Sequence, residues 1–233
     1  MSETKPRLLT ILDIVTVLVF AAAVGMVFLY VKPDATMGMV QKIFYFHVSS
    51  FWTGMLGFTF SMICGIIYLR THDPKWDIIE VAGVEIGLVF CLVGVITGSI
   101  WAYPTWNTWW TWDPRLTTVT IMELAYFAYL MLRAGIEEPE RRATFGAVYT
   151  IVAFISVPLT FFSIRFFNTI HPVVIGSSDP SAAGAFNMTP KMLTTFMFSL
   201  LAYSFVFVDL FWHRVRLGRL ADKVEQRKLK MTE

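Results

Sequence analysis

Residues 80–104 read EVAGVEIGLVFCLVGVITGSIWAYP, and from Ile86 to Pro104 no side chain carries a charge. A helix rises about 1.5 Å per residue, so about 20 such residues cross the ~30 Å hydrocarbon layer of a bilayer. A soluble surface helix would need a polar face, and this run has none. Five further apolar runs lie at 8–31, 47–69, 117–133, 145–166 and 191–212. In lipid each backbone donor and acceptor must be satisfied within its own segment, so each run is expected to be a helix. The whole chain of 233 residues is 56% apolar and 15% charged, against about 25% charged for a soluble domain. A soluble globular enzyme, a disordered chain and a nucleic-acid-binding domain are thereby excluded. The expected fold is an all-α polytopic membrane protein with six transmembrane helices. The first run follows Lys5 and Arg7, but it exceeds the about 7–15 apolar residues of a secretion signal and closes on no small-x-small site. It is expected to remain as a membrane helix.

Basic residues in loops face the cytoplasm. Lys5, Arg7, Arg70, Lys75, Arg133, Arg141 and Arg142 fall on one side, together with Arg214, Arg216, Arg219, Lys223, Arg227, Lys228 and Lys230 in the tail, making 14 of the 19 basic residues. Both termini are therefore expected in the cytoplasm. Segments 32–46, 101–116 and 165–190 are expected outside. The domain reading is a six-span unit over 1–212, with outer segments at about 101–116 and 165–190, and a basic cytoplasmic tail over 213–233. That tail reads as a helical extension at the membrane surface. Cys64 and Cys91 each sit inside an apolar run. With no C-x-x-C and no C-x-x-C-H, they form no redox pair and no covalent haem attachment site, and read as small core residues.

Chemistry gathers on the outer side. His47 opens the second run in Phe44-Tyr45-Phe46-His47-Val48-Ser49-Ser50, and His171 follows the fifth in Phe166-Phe167-Asn168-Thr169-Ile170-His171-Pro172. Each alone fits a hydrogen-bonded interfacial histidine. His72 and His213 lie beside Arg70 and Arg214 and read as polar membrane-edge residues. Between spans three and four, Trp101, Trp106, Trp109, Trp110 and Trp112 place five of the eight tryptophans within twelve residues, more than an interfacial belt requires. If the stretch is helical, Trp106, Trp109, Trp110 and Asp113 share one stripe and form an aromatic platform edged by indole N–H groups. Asp113 can instead N-cap the fourth helix ahead of Pro114. Arg115 can meet an acidic ligand group or snorkel to the interface. Two imidazoles, an aromatic bed and a cation, all assigned to one face, describe a haem site; zinc would want further ligands, and none is near in sequence.

The run Trp106-Asn107-Thr108-Trp109-Trp110-Thr111-Trp112-Asp113 resembles the tryptophan-rich "WWD" signature of haem-handling proteins of cytochrome c biogenesis. With Arg115-Leu116-Thr117, Tyr45-Phe46-His47-Val48 and Asn168-Thr169-Ile170-His171, it is similar to the cytochrome c maturation C (haem exporter C) family, over roughly residues 10–212. The resemblance implies His47 and His171 as axial metal ligands. It implies Trp106, Trp109, Trp110, Trp112 and Asp113 as the haem-holding signature, and Arg115 near the propionates. It further implies haem b bound non-covalently and transiently at the periplasmic face of the bacterial inner membrane, and its delivery to a periplasmic haem chaperone. The implied assembly contains an ABC ATPase, its membrane subunit and a small single-span protein. Asn107 stands where the family usually has Gly, and Asn also tolerates a left-handed backbone; Pro172 stands where a polar residue is common. No nucleophile–base pair or nucleotide loop is present, so no enzymatic activity is expected. Two other readings stay open: a haem lyase or synthase component attaching haem to apocytochrome, and a scaffold subunit of a transporter complex that binds no haem. The larger lyase branch carries more spans and more histidines than this chain offers.

Asp13, Glu85, Glu123 and Asp209 are acidic residues within or at the ends of runs. Asp13 and Asp209 lie near cytoplasmic ends and receive no role; Glu85 and Glu123 read as helix–helix hydrogen-bonding groups or parts of a haem route. Pro158 is expected to kink the fifth span. Gly54, Gly57, Gly83, Gly87, Gly94 and Gly98 suggest close packing of spans two and three.

Overall fold

The computed structural model describes residues 4–35, 37–172 and 188–232. Of the outer loop expected over 165–190, residues 173–187 lie outside these. The helices are α1 (Arg7–Gly25, continued by a π-turn, Met26–Tyr30), α2 (Ile43–Thr71, after a 3-10 turn, Met39–Lys42), α3 (Pro74–Trp106), α4 (Pro114–Ala134), α5 (Pro139–Ala153), α6 (Ser156–Phe166) and α7 (Pro190–Thr232). No β-strand occurs among the described residues. Helices α5 and α6 follow one another as one rod, so the fold is six helical rods, five of them long and apolar enough to cross a membrane. The exception is α4, where Thr117, Thr118, Thr120, Glu123, Tyr126 and Tyr129 dilute the apolar content. Leu8, Ile11, Ile14, Val17 and Leu18 of α1 are exposed, as expected of a helix whose outer side meets lipid.

Turn chemistry sets the helix ends. His72 ends α2 in the left-handed region, at φ 50°, and Asp73 caps α3 by accepting from Lys75 N at 3.0 Å, with Pro74 at the first helical position. Asn107 ends α3 at φ 54°, the left-handed backbone expected there. Asp113 caps α4 by accepting from Arg115 N at 3.1 Å. Pro158 has no N–H to give the carbonyl of Phe154, which accepts from Val157 N at 3.0 Å instead. The α5–α6 rod breaks at this point, as proline requires.

Helices α2 and α3 form a hairpin whose backbones touch. A Cβ on Gly57 would lie 2.6 Å from the Gly83 carbonyl, and one on Gly83 would lie 2.7 Å from the Gly57 carbonyl. Any larger residue would force the helices apart. Below this seam Phe58 stacks on Tyr126 of α4, with ring centres 3.6 Å apart and planes 5° from parallel. Val84, Leu88, Cys91, Met122 and Val157 complete the central core, and both cysteines are buried and unpaired.

The bundle end formed by the α2–α3 turn is stapled by charge. Arg133 of α4 forms a two-pronged pair with Asp77 of α3. Arg214 of α7 forms another with Glu85 of α3, its Nη2 donating at 2.7 Å. His213 of α7 meets Asp13 of α1 at 2.8 Å, and Lys5 pairs with the same carboxylate. These contacts put the beginning of α1 and the later half of α7 at one end of the bundle. Glu85 therefore has a helix–helix role, and Asp13 and Asp209 join the same cluster through His213. Glu80, unremarked in the sequence, is fully buried and accepts from Tyr129 Oη at 3.1 Å and Thr150 Oγ1 at 3.0 Å. Helix α7 runs through residue 212 without interruption, and Gly218 still packs on Ile78 of α3.

Candidate functional site

The other end of the bundle holds a cavity of about 260 Å³. Its floor is apolar: Phe51 and Met55 of α2, Val95 of α3, and Val119 and Met122 of α4. Its polar wall is short and consists mainly of His47, His171, Arg115 and Thr160. A mostly apolar cavity with a few convergent polar groups is the usual form of a small-molecule site.

His47 lies in the second turn of α2, where its imidazole faces α3. Gly98 provides the space, since a Cβ there would lie 2.7 Å from His47 Cε1. His47 Nδ1 lies 2.9 Å from the Gly94 carbonyl. A carbonyl can only accept, so Nδ1 carries the proton and Nε2 keeps its lone pair. Phe51 and Trp101 meet the ring edge-on at 5.2 and 5.9 Å. The ring is nearly all covered, at 7% exposure.

His171 is held differently. It follows α6 on non-helical backbone, and the cap residue of α4 anchors it. The two oxygens of Asp113 accept from Ile170 N, at 3.0 Å, and from Thr169 Oγ1. Thr169 Oγ1 in turn accepts from His171 N at 3.1 Å. Trp106 meets the ring at 5.5 Å, and the His47 and His171 ring centres are 6.4 Å apart, with planes inclined by 39°. His171 Nδ1 is buried and has no hydrogen-bond partner among the described residues. Burial first, then the nearby charge of Arg115 and the proximity of His47, lower the His171 pKa to about 3. The ring is neutral at physiological pH, the form that ligates metals.

Arg115 of α4 reaches across to α6, where Nη1 donates to the Thr160 and Phe161 carbonyls, each at 3.0 Å. Its Nε and Nη2 hydrogens have no partner among the described residues and remain for an acid at the cavity wall.

The tryptophan segment departs from the helical stripe considered above. Helix α3 stops at Trp106 and residues 107–113 are non-helical, because Asn107 turns left-handed and Asp113-Pro114 starts a new helix. Trp106, the last residue of α3, and Trp109 and Trp110, on the loop, still reach the cavity. Trp109 stacks on Tyr103, with ring centres 4.5 Å apart. Trp112 is 73% exposed and stands edge-on to Trp110 at 5.9 Å; it does not line the cavity. Asp113 leaves the platform too, serving the α4 cap and the His171 backbone. The structure thus brings His47, His171, Arg115, Trp106, Trp109 and Trp110 together, leaves Trp112 outside, and makes Asp113 a support. Gly94, Gly98 and Thr169 support the two imidazoles; only the glycine spacing and the Asn-Thr-Ile-His run hinted at them.

The profile of the family described as heme exporter protein C matches residues 1–230. The heme exporter protein C of Bradyrhizobium diazoefficiens is 32% identical over 169 residues, which are 72% of this chain and 64% of that protein. That of Rhodobacter capsulatus is 30% identical over 71% of this chain and 69% of its own length. A cytochrome c biosynthesis ccmC-like mitochondrial protein of Marchantia polymorpha is 31% identical over 61% of this chain and 60% of its own. The chain spans less than two thirds of the first and last of these relatives. Matched by the family profile along nearly all of its length, this chain belongs to the heme exporter protein C family.

Proposed function

We propose that this chain takes part in cytochrome c maturation as a transport component, holding haem b non-covalently and transiently in the cavity and passing it on. Relatives named for heme export and for cytochrome c biosynthesis support this reading. In it, His47 Nε2 and a His171 nitrogen would hold the iron. The observation that carries it is the spacing of the imidazoles. One iron held by a nitrogen of each imidazole, at a metal–nitrogen distance of about 2 Å, would set the ring centres about 6 Å apart. The rings here are 6.4 Å apart. The donor set also fits: one imidazole has its tautomer fixed by Gly94, and the other has a buried nitrogen with no partner among the described residues. Trp106, Trp109 and Trp110 supply flat apolar surface for the ring, and Arg115 has spare donors for a propionate.

On this reading the residues act by position. His47 fixes the metal, the indoles and the apolar floor exclude water, and Arg115 orients the acidic edge. The acceptor is a periplasmic haem chaperone. The wider assembly comprises an ABC ATPase, its membrane subunit and a small single-span protein. The cavity lies at the periplasmic face of the bacterial inner membrane, with both termini in the cytoplasm and a basic tail over 213–233 following the six-span unit. Trp112 and the rim around it face outward, where a chaperone would meet the bound haem. Co-expression with the chaperone in cells lacking the ATPase tests the role. Covalent haem on the chaperone, lost when His47 and His171 are both replaced by alanine, is expected. Undiminished loading with both histidines replaced would overturn the reading.

A further inference from the structure

The two imidazoles are held by unlike means, and handover requires one metal bond to open. His47 is carried by a continuous 29-residue helix. Its Nδ1–H is tied to the Gly94 carbonyl, its ring fills the space above Gly98, and Phe51 and Trp101 close two sides. Withdrawing it means parting α2 from α3 along a seam where backbones already touch at Gly57 and Gly83. His171 is held more lightly: Trp106 meets its ring edge-on at 5.5 Å, but no helix carries it. It sits on non-helical backbone beyond α6, and its Nδ1 has no partner among the described residues. Its place is set by three hydrogen bonds that meet at Thr169 and Asp113. The hydroxyl of Thr169 links them, donating to the carboxylate and accepting from the His171 N–H.

We propose that, in the haem-holding role inferred above, the iron–His171 bond is the one that opens on transfer, and that the Thr169–Asp113 hydrogen bond is the latch governing its opening. The step is a ligand exchange. The iron–nitrogen bond to His171 breaks, the electron pair stays on the imidazole, and a donor on the acceptor fills the vacated position. No electron or proton is transferred, and the iron stays bound to His47 until the acceptor withdraws it. Thr169 is thereby a positioning residue. Asp113 shares that task, which explains why a carboxylate closes the tryptophan segment: it joins the indole loop to the loop that carries the releasable ligand.

The test uses the full chain, purified in detergent with haem bound and exogenous imidazole as the probe. His171→Gly is expected to regain the wild-type low-spin absorption spectrum on adding imidazole, because the vacated side is the one that opens. His47→Gly is expected to stay unrestored, since its site is sealed between α2 and α3. Thr169→Val is expected to speed the exchange of exogenous imidazole at the iron about tenfold, while Thr169→Ser, which keeps the hydroxyl, restores the wild-type rate. Rescue of His47→Gly but not of His171→Gly, or an unchanged exchange rate in Thr169→Val, would overturn the proposal. A wild-type chain that binds no haem would overturn the haem reading as well; normal haem binding with the opposite pattern of rescue would overturn the exchange assignment alone.

Discussion

The two ends of the bundle solve opposite problems. At the α2–α3 turn, polar and charged side chains pair across helix boundaries: Arg133 with Asp77, Arg214 with Glu85, His213 and Lys5 with Asp13. At the cavity end the helices are joined by aromatic edges and a few backbone carbonyls, and two imidazoles face a cavity with little between them. One end is fastened by these pairs, although Glu80 Oε2 and Asp209 Oδ1 have no hydrogen bond among the described residues; the other keeps donors and acceptors at the cavity wall. Unsatisfied groups inside a membrane protein are costly, so a cavity that holds them benefits from fastening elsewhere in the bundle. The ion pairs and the α2–α3 glycine seam supply it.

This contrast can be broken from either side. The largest effect is expected for Arg133→Met. It strands Asp77, whose side chain is 17% exposed, and the pair is covered on both sides. Removing one partner of such a buried pair costs about 3–5 kcal/mol. A lower Tm in detergent with the haem spectrum intact is expected; a lost spectrum at unchanged Tm would erase the division between the ends. Next is Gly98→Val, which drives carbon into the space held by the His47 ring. Haem affinity should fall at least tenfold, with a smaller loss of stability, about 1–3 kcal/mol for overpacking. The partly exposed Arg214–Glu85 pair should matter less, with Arg214→Gln costing about 1 kcal/mol or less.

His171 stays neutral down to about pH 3, chiefly because it is buried. Protons therefore do not compete for its nitrogen between pH 8 and pH 5, and haem affinity should be flat over that window. A folded pKa below the unfolded value of about 6.5 means that the unfolded chain takes up the proton first. Stability from this group is thus present above pH 6.5 and declines as the pH falls toward 3. An affinity that drops tenfold per unit below pH 6.5 would show an ordinary, exposed histidine. The smallest change is expected for Trp112→Ala, which removes an exposed ring outside the cavity. Haem affinity should stay within twofold, whereas Trp106→Ala, beside His171, should lower it more.

Apolar run length made the rods legible in the sequence, and the glycines at 54, 57, 83 and 87 announced the α2–α3 contact because only small residues let helix backbones touch. The histidine contexts and tryptophan density pointed to residues the fold does bring together. The path of the tryptophan chain was less legible. A helical stripe through Trp106, Trp109, Trp110 and Asp113 needed the helix to continue, and a left-handed Asn107 ends it. The role of Thr169 was hidden for a different reason: its partner Asp113 is 56 residues away, and no local pattern encodes such a contact. Glu80 escaped notice because it opens an apolar run, where a carboxylate reads as a flank; its partners come from α4 and α5. Helix α7 outlasts its apolar run because hydropathy marks where lipid ends, while residues such as Leu217, Leu220 and Lys223 remain good helix formers beyond it.

On the proposed reading His47 and His171 bind one iron between them. Electron paramagnetic resonance of the purified ferric haem complex tests it most directly. A low-spin signal of two nitrogen ligands is expected in the wild type, converted to high spin by His47→Ala and by His171→Ala separately. A low-spin signal that survives either substitution unchanged would contradict it.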